Sequence, residues 1–162
     1  MKKIIFVRHA KSSWENDVGD VDRPLKKRGI VDSALVSKEF MGYDARPEIV
    51  FSSPAKRAFE TCKIFVRNLN IIEENVRINE DLYDFGGQNV VKFIKLMSDN
   101  YKTAMIFGHN HALTSIVNAY GNVYVDNLPT SGLVVIAFDI ENWSDLKQGK
   151  TVKTIFPRDL KV

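Results

Sequence analysis

The sequence predicts an α/β fold with a mainly parallel central sheet. Three observations carry that expectation. Short apolar segments alternate with longer stretches of helical periodicity, and several of the apolar segments are unbroken runs, as in strands covered on both faces. No internal repeat, low-complexity tract or linker-like stretch interrupts the series. At 162 residues the chain is long enough to bury a core without staples, and one domain over 1–162 is expected.

Lys3–Val7 reads as the first strand. Val31, Ala34, Leu35 and Phe40 then predict a helix over Gly29–Met41, with Gly42 as its stop. Glu48–Ser52 is the second strand. After it, Ala58, Cys62, Phe65 and Leu69 recur at helical spacing, with Ser53 as the expected N-cap and Pro54 as the first helical residue. Val76–Asn79 is a short strand, Val90–Met97 a helix and Thr103–Phe107 a strand. Ala112–Tyr120 is a helix ending at Gly121, Leu133–Ile140 a strand and Thr151–Phe156 a late edge strand.

Composition excludes several functions. The longest purely apolar runs, such as Leu133–Phe138, are far too short to cross a membrane. Four apolar residues after Lys2-Lys3 are too few for a signal peptide, and the single cysteine, Cys62, allows no internal disulfide, so a cytoplasmic protein is expected. The net charge of +3, from 23 basic and 20 acidic residues, is too weak to argue for nucleic acid, and aromatic residues do not interleave with a basic stripe. "RPLKKRG" at 23–29 concentrates positive charge, which reads first as a solvated face and second as local anion steering. Neither Gly-x-x-x-x-Gly-Lys-Ser/Thr nor Gly-x-Gly-x-x-Gly is present, so no nucleotide loop is expected. Three histidines and one cysteine make a poor zinc set, and arginines near His109 and His111 would repel a cation; no metal and no cofactor are expected.

The informative pattern lies just beyond each apolar run. "IIFV" leads into Arg8-His9, "IVF" into "SSPAKR" and "MIF" into Gly108-His109-Asn110. Parallel strands deliver their carboxyl ends to one edge of the sheet, where ligands bind. Arg8, His9, Arg57 and His109 are therefore expected to converge. Two permanent cations and two imidazoles with no obvious carboxylate among them repel one another, so the missing component is a bound anion. Lys56 and Arg57, in the first helical turn, also oppose the helix dipole at ~0.3–1 kcal/mol each. A phosphate at that helix N-terminus removes the cost, and the planar fork of Arg suits phosphate. The competing reading pairs Arg57 with Glu60 three residues on, but leaves Arg8 unexplained.

"RHAKSSW", "SSPAKRAFET" and "GHN" resemble the motifs of the histidine phosphatase superfamily, the phosphoglycerate-mutase-like enzymes. The short chain, "DRPLKKRG" and "DLY" look like its SixA-type phosphohistidine phosphatase branch, and the resemblance runs from about residue 3 to about residue 136. It implies a three-layer α/β/α architecture, phosphoglycerate-mutase-like. It also implies His9 as the nucleophile that forms a phosphohistidine intermediate, Arg8 and Arg57 as the clamp on the phosphoryl oxygens, and His109 as a second imidazole binding the same group. Arginines nearby should hold His9 below its reference pKa of ~6.5, keeping it neutral, while its other nitrogen needs an acceptor to fix the tautomer.

Two positions depart from the family's pattern: Ala10 stands where Gly is usual after Arg-His, and His111 where Pro often comes after "GHN". His111, at a helix start, reads as surface. The resemblance places a general acid at Glu80 in "INEDLY", with Asp81, Asp84 and Asp22 as competitors and surface carboxylate as the plain alternative for each. An imidazole leaving group protonates readily near neutral pH and depends less on such an acid than an alkoxide does. About 24 residues separate the third long strand from the fourth, too few for a substantial lid, so an open crevice that admits a phosphorylated protein side chain is expected.

The leading expectation is a phosphatase acting on protein phosphohistidine through His9, its partner a phosphorylated protein of histidine-phosphotransfer type. The alternatives are a small-molecule phosphomonoesterase or mutase of the same fold acting on a phosphorylated metabolite, and a non-catalytic phosphate- or phosphoprotein-binding module. The last would keep Arg8 and Arg57 without needing His9.

Overall fold

The computed structural model describes residues 1–15 and 17–161. Its sheet has six strands: β1 (Lys2–Arg8), β2 (Ile49–Ser52), β3 (Val76–Ile78), β4 (Thr103–Gly108), β5 (Leu133–Phe138) and β6 (Lys150–Ile155), in the spatial order β3-β2-β4-β1-β5-β6. β3, β2, β4 and β1 run parallel, while β5 is antiparallel to β1 and β6 to β5. The helices are α1 (Lys27–Met41), α2 (Lys56–Asn68), α3 (Gln88–Lys95), α4 (Ala112–Tyr120) and the single-turn α5 (Pro157–Leu160).

Alternation along the central strands builds two cores. Ile4 and Phe6 of β1, with Ala104, Ile106, Val134 and Ile136, pack under Val90 and Ile94 of α3 and Leu113, Ile116 and Val117 of α4. Ile5 and Val7, with Met105, Phe107, Leu133 and Val135, pack under Val36 and Phe40 of α1, Cys62 and Phe65 of α2 and, partly buried, Leu160 of α5. Helices thus cover both faces, which is why β1, β4 and β5 read as continuous apolar runs. Each such side chain fully buried contributes roughly 1.5–3 kcal/mol. The architecture is the three-layer α/β/α expected.

Boundaries differ where side chains intervene. β1 extends through Arg8, which pairs with Gly108, so the first cation of the motif is itself a strand residue. β3 stops at Ile78 because the Asn79 side chain accepts the Asp81 amide at 2.9 Å and starts a turn. α3 begins at Gln88, two residues early, because Asp84 Oδ2 accepts the amides of Gly87, Asn89 and Val90. Gly87, at φ 103°, provides the left-handed entry to that helix.

α1 starts at Lys27, with Gly29 inside its first turn. A Cβ on Gly29 would lie 2.4 Å from the Lys11 carbonyl oxygen, so this glycine permits close approach of α1 to the segment after β1. α2 starts at Lys56 and has no side-chain cap. Ser53 is therefore not its N-cap; the hydroxyl accepts the Ala55 amide at 3.2 Å and is otherwise turned to a histidine.

Candidate functional site

The carboxyl ends of β1, β2 and β4 bring Arg8, His9, Arg57 and His109 to one edge of the sheet. His9 comes directly after β1 and donates its amide to the carbonyl of Gly108 at 3.0 Å. His109 comes directly after β4, and the two imidazole rings stand 5.3 Å apart between centroids. Arg57 reaches the same place from the first turn of α2. All three are buried, at 8%, 1% and 2% exposure for His9, His109 and Arg57.

The tautomer of His9 is set by its neighbour. Nδ1 lies 2.8 Å from the carbonyl oxygen of Ala10, which can only accept, so Nδ1 carries the proton and Nε2 keeps its lone pair. Ala10 is held in turn: its amide donates to Thr61 Oγ1 at 2.9 Å, and that hydroxyl donates to the carbonyl of Arg57 at 2.7 Å. One threonine of α2 thus ties the turn after β1 to the residue bearing the guanidinium. Burial pushes His9 down to about 3, and the charges of Arg57, Arg8 and Arg23 push the same way against the Ala10 carbonyl. Burial, then the proximity of His9 and Arg57, takes His109 down to about 3 as well. Both imidazoles are neutral at pH 7.

His109 Nε2 lies 2.8 Å from Ser53 Oγ. The Ser53 oxygen also accepts the Ala55 amide at 3.2 Å, and the tautomer of His109 decides which of Ser53 Oγ and Nε2 donates in their shared bond. His109 Nδ1, Arg8 Nε and Arg57 Nε are buried without a hydrogen-bond partner. Arg8 Nη1 donates to the Leu128 carbonyl at 2.8 Å, while burial and then the charge of Arg57 lower its pKa. Two of these unpaired buried atoms belong to guanidinium groups and can only donate, and the complement two cations require is an anion.

A carboxylate does lie in the cluster, contrary to the expectation from sequence. Asp20 accepts from Arg57 through both its main chain (Nη1, 2.6 Å) and its Oδ2 (Nη2, 2.9 Å). The same Oδ2 accepts the Tyr83 hydroxyl at 2.6 Å, and Oδ1 accepts from Arg23 Nη1 at 3.2 Å. Glu60, the partner offered by helical spacing, instead accepts the amide of Leu25 at 3.3 Å. Arg23 is buried, bonded to Ser12 Oγ and the Ser13 carbonyl, with its guanidinium carbon 3.2 Å above the centre of the Trp14 ring. The segment before α1 and the α4–β5 connection both reach the site, the first through Asp20 on Arg57 and the second through the Leu128 carbonyl on Arg8.

The acid candidates are placed differently. Glu80 is exposed, and among the described residues no hydrogen bond or ion pair joins its carboxylate to Arg8, His9, Arg57 or His109. Asp81 and Asp22 are exposed as well, and Asp84 is consumed in capping α3. His111 is exposed just before α4. Among the described residues no three His, Cys, Asp or Glu side chains cluster so as to hold a metal ion. Asp20, Tyr83 and Ser53 are the site neighbours that sequence reasoning missed. Tyr83 lies in the quoted "DLY", whereas Asp20 sits in a polar stretch with no periodicity to mark it.

The model of the histidine phosphatase superfamily (branch 1) matches residues 4–90. An uncharacterised protein of Mycobacterium leprae is 31% identical over 143 residues, 80% of this chain and 86% of its own. An uncharacterised chloroplastic protein of Arabidopsis thaliana is 31% identical over 120 residues, 67% of this chain, and the match spans 54% of that relative's length. Among solved structures, the protein histidine phosphatase SixA complexed with tungstate superposes with a TM-score of 0.83 at 20% identity, covering 98% of this chain and 99% of its own, a likeness of fold.

Proposed function

The chain belongs to the histidine phosphatase superfamily, and on that premise we propose that it hydrolyses phosphohistidine on a protein substrate through a phosphoryl intermediate on His9. The observation that carries this reading is the pairing of a neutral, tautomer-fixed His9 with buried guanidinium donors that lack an acceptor. In the proposed reaction the Nε2 lone pair of His9 forms a bond to phosphorus while the bond from phosphorus to the leaving nitrogen breaks. Arg8, Arg57 and His109 hold the phosphoryl oxygens and stabilise the charge spread over them. The leaving imidazole takes up a proton from solvent. Water then attacks phospho-His9, giving inorganic phosphate and returning His9 Nε2 with its lone pair.

An imidazole leaves more readily than an alkoxide, which fits a site where no carboxylic acid is tied to the cluster in protonated form. Glu80 remains the acid of this proposal for ester substrates.

The test is phosphate release from a phosphohistidine protein and from p-nitrophenyl phosphate, with EDTA present, for wild type and His9→Ala. Turnover that survives EDTA, favours the phosphoprotein and disappears in the variant supports the reading. Preference for the small ester moves the small-molecule phosphatase ahead. Phosphate binding without turnover on either substrate leaves a binding module.

A further inference from the structure

The proposed reaction gives no part to Asp20, whose side chain accepts three hydrogen bonds at the site. Asp20 accepts from Arg57, Arg23 and Tyr83, and it takes the end of the Arg57 guanidinium with one carboxylate oxygen and one carbonyl oxygen. Two parallel N–H···O bonds to the end of a guanidinium are also how Arg holds a phosphoryl group. If Arg57 binds the phosphoryl group, as the proposed function requires, Asp20 stands in the position of a competing anion. Burial pushes the Asp20 carboxyl up, but the hydrogen bonds from Tyr83 and Arg57 outweigh it and hold the group at about 2, so it is charged at neutral pH.

The two partners differ in how easily they part. Arg57 is 2% exposed and cannot rehydrate, whereas the Asp20 side chain is 40% exposed and can pass into water. Asp20 rides on a single 3-10 turn, Asp20–Asp22, that buries no residue and has no side-chain cap. Its anchor to the body is the next residue, Arg23, held at Ser12 and Ser13. Gly19, before the turn, has nothing within 4 Å of the position its Cβ would take. An exposed carboxylate on a short surface turn thus sits on a buried cation that always needs an anionic partner.

We propose that Asp20 is the resident counter-anion of Arg57, exchanged for the phosphoryl group when substrate binds, and that it thereby sets the affinity of the site for phosphoryl oxyanions. The exchange keeps Arg57 paired throughout. It releases the Asp20 carboxylate to solvent and frees the Tyr83 hydroxyl at the mouth of the site. Arg57 Nε is the donor left free for the phosphoryl group, and an anion there repels the Asp20 carboxylate held on Nη2 of the same guanidinium.

The test is calorimetric titration of the full chain with inorganic phosphate, comparing wild type, Asp20→Asn and Tyr83→Phe. Asparagine still accepts from Arg57 but carries no charge, and the exposed position tolerates it. Asp20→Asn is expected to tighten phosphate binding about tenfold, the gain from removing a closed state that dominates the free protein. Tyr83→Phe, which removes one of the hydrogen bonds that hold Asp20, is expected to tighten it by less. Equal or weaker binding in both variants overturns the exchange and makes Asp20 a buttress that orients Arg57. Absence of phosphate binding by wild type overturns the reading of the site itself, and this inference with it.

Discussion

Ser53 Oγ stands 2.8 Å from His109 Nε2, joining the residue after β2 to the residue after β4 inside the buried edge of the sheet. A serine that reads from sequence as a helix cap is instead the partner of a buried imidazole. Ser53→Ala leaves Nε2 without a partner and is expected to cost about 1–3 kcal/mol of stability. Urea denaturation checks this, and a midpoint equal to that of wild type contradicts it.

Both site imidazoles should be silent near neutrality. With folded-state values pushed to about 3, the Hε1 resonances of His9 and His109 are expected to hold still between pH 8 and 5, assigned by His9→Asn and His109→Asn. Stability inherits a sign from these values. The unfolded chain, with imidazoles near ~6.5, binds more protons than the folded one from there down to about 3, so stability falls as pH drops through that window. A titration midpoint near 6.5 for either ring, or stability that rises on acidification across the window, contradicts this.

Thr61 should matter beyond packing. Its hydroxyl accepts the Ala10 amide and donates to the Arg57 carbonyl, and the Ala10 carbonyl fixes the His9 tautomer. Thr61→Val keeps the shape, strands a buried amide and is expected to cost about 1–3 kcal/mol. Because the loss reaches His9 through Ala10, kcat should fall more than KM rises. Unchanged stability and kcat together would exclude the linkage.

At Gly29 two effects oppose each other. Alanine gains roughly 0.8–1 kcal/mol of helix propensity, but its Cβ would meet the Lys11 carbonyl oxygen at 2.4 Å and the Lys11 nitrogen at 2.9 Å. Both contacts are backbone, so the segment after β1 must shift, at typically ~1–3 kcal/mol. The clash should win, and Gly29→Ala should melt lower than wild type. A higher melting temperature would show that the segment yields freely.

Much of the fold is legible from pattern. The apolar runs of β1, β4 and β5 reflect burial on both sheet faces, and the basic residues after three strands reflect parallel topology, which places Arg8, His9 and His109 at one edge. Arg57 joins them through helical spacing after β2. Boundaries are legible only where no side chain intervenes: Asp84 and Asn79 move the start or end of their elements by hydrogen bonds with no local periodicity.

Local pattern was enough to set the α/β class and the edge of the sheet where the chemistry-bearing residues gather, because hydrophobic period and strand polarity are properties of neighbouring residues, while the three-layer architecture and the family came through the resemblance of the motifs. Three relationships needed the packed molecule: Asp20 rather than Glu60 pairs with Arg57, Ser53 serves His109, and Ala10 orients His9. Those bonds join residues far apart in sequence, or depend on which way a backbone carbonyl points. Their partners are chosen by the packing of α2 and the turn after β1 against the sheet.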